Sequence, residues 1–377
     1  MRNNRFFVVN RHAFVLIFAL FSFVSINAFA NTENVHSDST QAQVNHTDSA
    51  AHGNAHAAGH GEEEKFNPSE LILEHIADSY DWHLWGHTSI HLPVILYTDK
   101  GLEVFSSRKF NHGHDVYAGK NNYKIEHNHI VIVDAAGNVD EAASKKVLDF
   151  SITKNVASLL LSVTLLIIIF LSVASAYRKT EGKAPKGFQS MIEPVIIFVR
   201  DEVAKPNLGY KYGKFMPFLL TIFFFIWMNN MLGLVPFFPG GANVSGNIAF
   251  TMVLAVITFI VINLNGSKAY WGHIFKPHVP LWMYPLMIPV EIVGIFTKPI
   301  ALMIRLFANI TAGHILILSL ISLIFIFKSA LVATVAVPFA VFISVIELLV
   351  AFLQAFIFTM LAALFIGMAI EEPHADH

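Results

Sequence analysis

With 377 residues, no cysteine, 54% apolar and only 14% charged residues, the chain falls in the membrane class, and disulfides and thiolate metal sites are excluded outright. The formal net charge of -2 says little about partners and gives no ground for a nucleic-acid partner. The 34 phenylalanines read as lipid-facing or core packing.

Residues 1–30 have the three parts of a secretory signal: Arg2, Arg5 and Arg11, an apolar stretch over 13–24, and Ala28-Phe29-Ala30 in the A-x-A pattern. The alternative is an uncleaved first membrane helix. A cleaved signal places the residues after it outside the cytoplasm. Residues 31–64 hold Ser, Ala, Gly, Asn and His with almost no large apolar side chain, a His-rich disordered linker by composition. His52, His56 and His60 would line up on a helix as metal ligands, but the glycine and polar content argues against a stable helix and so against a specific metal site. Residues 65–150 read as a small extracytoplasmic region. The pattern predicts a helix over 69–79, a hairpin of 92–97 and 101–105 about Asp99-Lys100-Gly101, and a third strand over 130–133. His91, His112, His114, His127 and His129 lie near its turns and have no catalytic spacing.

Residues 151–377 form the membrane domain. A first span near 156–176 is long enough to cross a bilayer core of about 30 Å. Arg178, Lys179, Lys183 and Lys186 come after it and make that end cytoplasmic; Lys145, Lys146 and Lys154 blur the signal, and the signal peptide breaks the tie. Over 188–203, Met191, Ile192, Val195, Ile196 and Val199 mix with Glu193, Arg200, Asp201 and Glu202, which predicts an amphipathic helix along the cytoplasmic face. Spans near 216–235 and 248–264 come next. The uncharged PFFPGGANVSGN between them contrasts with eight Lys or Arg over 178–214 and supports the same orientation. The last two spans, near 286–327 and 331–370, would each be about 60 Å long at 1.5 Å per residue. They cross only if steeply tilted beyond the ordinary range or broken into hairpins, and steep tilt is favoured. Lys328 and Ser329 make them antiparallel neighbours, with the C-terminus cytoplasmic. The expected fold is an all-α polytopic membrane protein with about five membrane helices, including a long, steeply tilted C-terminal helical hairpin, plus a surface amphipathic helix and a small N-terminal ectodomain.

Within this apolar background Arg305 stands out. A guanidinium in hydrocarbon costs at least about 2.5 to 3.5 kcal/mol and cannot shed its proton, so something acidic or watery must meet it. The plain alternative is an arginine that snorkels or pairs internally. Glu291, Lys298 and Arg305 are seven residues apart and share one helical stripe that drifts about 20° per step. Asn309 adds an amide to that face, and His314 lies about 180° round from Arg305. In the final segment Glu347 and Gln354 are also seven apart. An antiparallel pairing lets His314 approach Glu347, with Gln354 closer to Arg305. A buried His and carboxylate make a natural proton relay, or a structural hydrogen-bonded pair.

RLFANITAGH from Arg305, the Lys298-Pro299 pair, Glu347, LQAFIF from Leu353, PVEIVGIFTKP and WMNNMLGLVPFF together resemble subunit a of F-type ATP synthases, over about residues 150–370. The resemblance implies one vertical helix, a cytoplasmic surface helix, two further helices and a tilted hairpin wrapping a ring of rotor c subunits. It implies a non-catalytic, ion-translocating subunit with two proton half-channels and no cofactor. The partners it implies are the c-subunit ring, the b subunits of the peripheral stalk and the remainder of the ATP synthase, in a bacterial inner membrane. By position, Arg305 resembles the essential arginine facing the rotor carboxylate, Gln354 its glutamine neighbour and Asn309 the polar residue one turn on. His314 and Glu347 resemble the two positions of the outer half-channel, and Glu291 is expected to join the proton path. Many bacterial members have Glu at the first of these positions and His at the second; this chain has the reverse, as mitochondrial members do, and the exchange preserves the pair. Ala308 replaces the commoner glycine, and the His-rich N-terminal region lies outside the common pattern. A metal-ion transporter with a His-rich gathering linker is the alternative, although His314 is the lone intramembrane ligand available to it. A membrane-embedded protease would need an HExxH or GxSxG motif in a span, and neither is present.

Overall fold

The computed structural model of the chain describes residues 77–85, 88–113, 115–126, 128–134, 136–179, 184–235, 239–277 and 279–371. The expected signal and linker lie outside the described residues, as does most of the helix expected over 69–79; its last three positions, 77–79, are not helical.

A small β-domain comes first. Strands β1 (Asp81–Trp85) and β2 (Thr88–His91) pair antiparallel. Strands β3 (Pro93–Thr98) and β4 (Gly101–Ser106) form the expected hairpin, with Thr98 opposite Gly101. Gly101 holds φ at +95°, which glycine adopts without a Cβ penalty. Two short strands, β5 (Tyr117–Ala118) and β6 (Asn122–Glu126), precede β7 (His129–Val133). A single helical turn, α1 (Glu141–Ser144), and β8 (Leu148–Asp149) complete the domain.

The strand expected over 130–133 exists within β7 but does not join the hairpin. It pairs with β6 in a separate sheet, and β8 takes the place beside β3. The turn through Asn128, at φ +63°, folds β7 straight back on β6, and this sequence-adjacent pairing wins over a distant one. Val94, Leu96, Phe110 and Tyr123 are fully buried between the layers. The opposite face of β4–β3–β8 carries Tyr97, Leu102, Val104 and Leu148, all exposed.

The membrane helices begin with α2 (Lys154–Lys179). Next come α3 (Phe188–Phe198), a π-helical turn over Val199–Ala204, α4 (Lys205–Leu208) and α5 (Tyr212–Leu234). The amphipathic segment expected over 188–203 is therefore helical but does not end at 203. It runs through the π turn toward α5, with the backbone break at Gly209, φ +53°. Helix α6 (Ile248–Leu264) and α7 (Lys268–Phe275) meet at a 101° bend. At 17 residues α6 is about 25 Å long at 1.5 Å per residue, short for an ordinary span. Finally α8 (Tyr284–Phe327) and α9 (Ala330–Ile370) run unbroken for 44 and 41 residues. Neither folds back on itself, so the broken-hairpin alternative falls. Between them lies a two-residue link in which Lys328 is left-handed at φ +45°.

Among the described residues four helical stretches are long and apolar enough to cross a membrane, or five if the bent α6–α7 pair is one span. The chain is a multi-pass membrane protein. Its core joins Leu159 and Leu166 of α2, Phe223 and Phe225 of α5 and Phe250 of α6 to a seam of Ala355, Ala362 and Ala363 on α9. Alanine at these positions lets backbones approach closely, which is how helices associate where no water drives them together.

The β-domain stands directly on α2. Phe150 donates its N–H to Ile95 O and Ile152 to Pro93 O, so the chain passes from β8 into α2 while still hydrogen-bonded to β3. Lys154 N donates to Ser79 O, and Asn155 N to Asp78 Oδ1 at 3.0 Å. The Trp82 indole donates to Gly240 O at 3.1 Å, in the segment between α5 and α6.

Candidate functional site

The repeat of apolar residues turns Leu302, Leu306 and Ile310 of α8 into the core, where all three are buried. That leaves Ala301, Arg305, Ala308, Asn309 and Ala312 on the outward side, and all five are exposed. Among the described residues Arg305 forms no hydrogen bond or ion pair. It is a permanent cation between small neighbours, presented outward from an apolar helix. The alanines on either side leave room for another helix to come close.

The stripe shared by Glu291, Lys298 and Arg305 does not meet a single partner. Glu291 Oε1 lies 3.9 Å from His273 Nδ1 of α7. The Lys298 ammonium sits over the Phe365 ring of α9, 5.4 Å from its centroid, and Arg305 alone faces out. With Pro289 and Pro299 inside α8 and a drift of about 20° per heptad, the stripe winds across three environments.

On the other side of α8 the structure brings His314 and Glu347 together, with His314 Nδ1 3.7 Å from Glu347 Oε1. Glu347 is buried on α9. His314 Nδ1 is also 3.1 Å from Ile310 O, and Nε2 is 3.4 Å from Gly233 O of α5. Both ring nitrogens thus face oxygens. A neutral imidazole has one N–H and serves one of them, whereas an imidazolium serves both. A ring so placed can hold a proton on either nitrogen next to a carboxylate that can take it.

Gln354 is buried on α9, and no hydrogen bond joins it to Arg305 or Asn309 among the described residues. His314 and Arg305 lie on different sides of α8, as their spacing predicts. Sequence reasoning missed Gly313, where a Cβ would collide with Glu347 Oε1. It also missed Asn230, whose amide donates to Ala351 O one turn beyond Glu347, and the Gly233 carbonyl. Among the described residues no group of three His, Asp or Glu side chains is placed to hold a metal ion.

Comparison with known proteins matches residues 157–367 to a family described as ATP synthase A chain. A domain of unknown function matches residues 71–150. The chain is 40% identical over 370 residues to an ATP synthase subunit a of Chlorobium phaeobacteroides, covering 94% of this chain and 91% of the relative. It is 48% identical over 234 residues to that of Chloroherpeton thalassium, covering 61% of this chain and 69% of the relative. The match to the subunit a of Myxococcus xanthus is 45% over 239 residues, 61% and 77% of the two chains. The Chlorobium match, covering 94% of this chain, takes in the residues of the β-domain.

Proposed function

The chain belongs to the ATP synthase A chain family, and from that premise we propose that it is the membrane stator subunit against which a ring of rotor c subunits turns, with Arg305 between two proton half-channels. The observation that carries this reading is the exposed Arg305 guanidinium midway along the apolar-rich helix α8, unpaired among the described residues. A rotor carboxylate crosses lipid protonated, because the ionised form there is costly. Opposite Arg305 the fixed positive charge favours the ionised form, so the proton leaves. The half-channels let it leave to one side and be replaced from the other, and the cation between them blocks a direct leak. The driving energy is about 2.3 kcal/mol per charge per 100 mV, so several protons are needed for each ATP.

Gln354 and Asn309 shape the surroundings of the rotor acid, and His314 with Glu347 forms the relay of the outer half-channel. Glu291 joins the path through His273. The chain makes no ATP itself. Its further partners are the b subunits of the peripheral stalk and the rest of the complex. It sits in the bacterial inner membrane, with residues 1–30 as a signal, 31–64 as a His-rich linker, 65–150 outside and the C-terminus in the cytoplasm. Helix α3 lies along the cytoplasmic face, and its exposed Phe188, Met191 and Ile197 suit an interfacial position.

Arg305→Ala should abolish proton-driven ATP synthesis in membrane vesicles, and Arg305→Lys should not restore it where the planar fork matters. Undiminished synthesis in the alanine variant, with the c ring still co-purifying, would end this reading.

A further inference from the structure

Arg305 faces outward as long as α8 keeps its rotation about its own axis, and α8 is lightly held. Its buried residues are Leu302, Leu306, Ile310 and Ser322, four of 44. The first three recur every fourth residue and form one stripe. A helix gripped along one stripe can roll, and a roll of about 100°, the step between neighbouring residues, would bring a different side chain to the place where the guanidinium stands.

The side-chain contacts of this part of α8 fall on two sides. His314, nine residues after Arg305, and Phe296, nine before it, both lie about 180° round the helix from the guanidinium. His314 meets Glu347 of α9, and Phe296 stacks on Phe259 of α6 with ring centroids 5.3 Å apart. Leu306 and Ile310 point about 100° and 140° away from Arg305. Lys298, seven residues before Arg305, lies within about 20° of it. Its ammonium sits over the Phe365 ring of α9, 5.4 Å from the centroid, so it is held on the side of α8 that Arg305 itself occupies.

Phe365 is a firm post for that contact. Its neighbours Ala362, Ala363, Ile366 and Ala369 are completely buried, and Gly367 abuts Asn207 O of α4. Ala369 O accepts from Ser267 N at 2.8 Å and Ile370 O from Lys211 Nζ at 3.3 Å. An ammonium over an aromatic face is attracted by the ring quadrupole, more strongly where water is excluded, and a cation in an apolar helix is costly unless something meets it. Leaving the ring therefore costs Lys298 its partner. We propose that Lys298 is a positioning residue: its ammonium, held on Phe365, and His314, held on the opposite side of α8, fix the roll of the helix between them and keep the Arg305 guanidinium turned outward. This rests on the proton-path function proposed above. Lys298 acts through Arg305 and exchanges no proton, and the end of α9 beyond Gln354 becomes part of the transport geometry.

The test uses the assembled synthase in membrane vesicles and reads two quantities, proton-driven ATP synthesis and the passive proton leak without nucleotide. Lys298→Met keeps the stem and removes the charge, whereas Phe365→Leu keeps the charge and removes the ring. Each should cut synthesis about tenfold, the factor that losing one desolvated cation–ring contact corresponds to. Each should also raise the leak, because a rolled α8 takes its blocking cation out of line. The double variant should do no worse than either single one, since both remove the same contact. Lys298→Arg, whose guanidinium also rests on aromatic faces, and Phe365→Tyr should behave as the native chain, with c-ring co-purification unchanged throughout. Native synthesis and leak in Lys298→Met, losses that multiply in the double variant, a fall in synthesis with no added leak, or a Lys298→Arg variant as poor as Lys298→Met would each overturn the proposal. If Lys298→Met does not assemble, Phe365→Leu is read with the same outcomes. Arg305→Ala is assayed in parallel. Retained synthesis there defeats the proton-path function itself, whereas lost synthesis beside an unaffected Lys298→Met defeats the clamp alone.

Discussion

At Gly313 a single hydrogen decides how close α8 comes to the Glu347 carboxylate, since a Cβ would collide with Oε1. Gly313→Ala should push that carboxylate away from His314. Proton-driven ATP synthesis would fall on the order of tenfold, equivalent to about 1.4 kcal/mol, while the amount of assembled complex stays the same. Unchanged synthesis would mean that the 3.7 Å approach is not needed for transport. The charged members of this neighbourhood are legible in the sequence because a charge within an apolar run announces its own cost. Arg305, His314 and Glu347 are readable on that ground, and helical spacing is enough to separate Arg305 from His314. The glycine and the carbonyls of Gly233 and Ile310 carry no such mark. Backbone acceptors belong to every residue, and only the fold selects which ones face a ring nitrogen.

Among the elements, α8 and α9 are the easiest to read, because an apolar run of some forty residues with a two-residue interruption leaves few alternatives. The stretch from 188 to 234 is harder. Its charges suggest a separate surface helix, yet the backbone stays helical through the π turn, and Val199, Val203 and Ala204 there are completely buried. The partner of β7 is also hidden, since strand propensity says that a segment pairs without saying with which neighbour. Close packing at the end of α9 gives a test at this scale. Gly367 abuts the backbone carbonyl of Asn207 in α4, and a backbone atom cannot swing aside as a side chain can. Gly367→Ala should destabilise the subunit by about 1 to 3 kcal/mol, the usual cost of overpacking, seen as a lower thermal unfolding midpoint in detergent. An unchanged midpoint would show that α9 can shift along α4 without loss.

Taken as a whole, the molecule is a helical bundle with a β-domain rooted in it through backbone hydrogen bonds, and one side of it is unfinished. The alanines around Arg305 have no side chains long enough to shield the guanidinium, and nothing else in the described chain neutralises it. On the proposed function, a newly made copy that has not yet met its ring carries a bare cation into the hydrocarbon, at a standing cost of a few kcal/mol. Such an orphan should be short-lived, and cells denied the rotor subunit should lose this chain by proteolysis faster than cells denied a soluble subunit of the same complex. Pulse-chase measurement of its half-life would decide the point, and an Arg305→Ala copy should outlast the native one under the same deprivation. The cation proposed to face the rotor would then double as the tag by which unfinished copies are cleared.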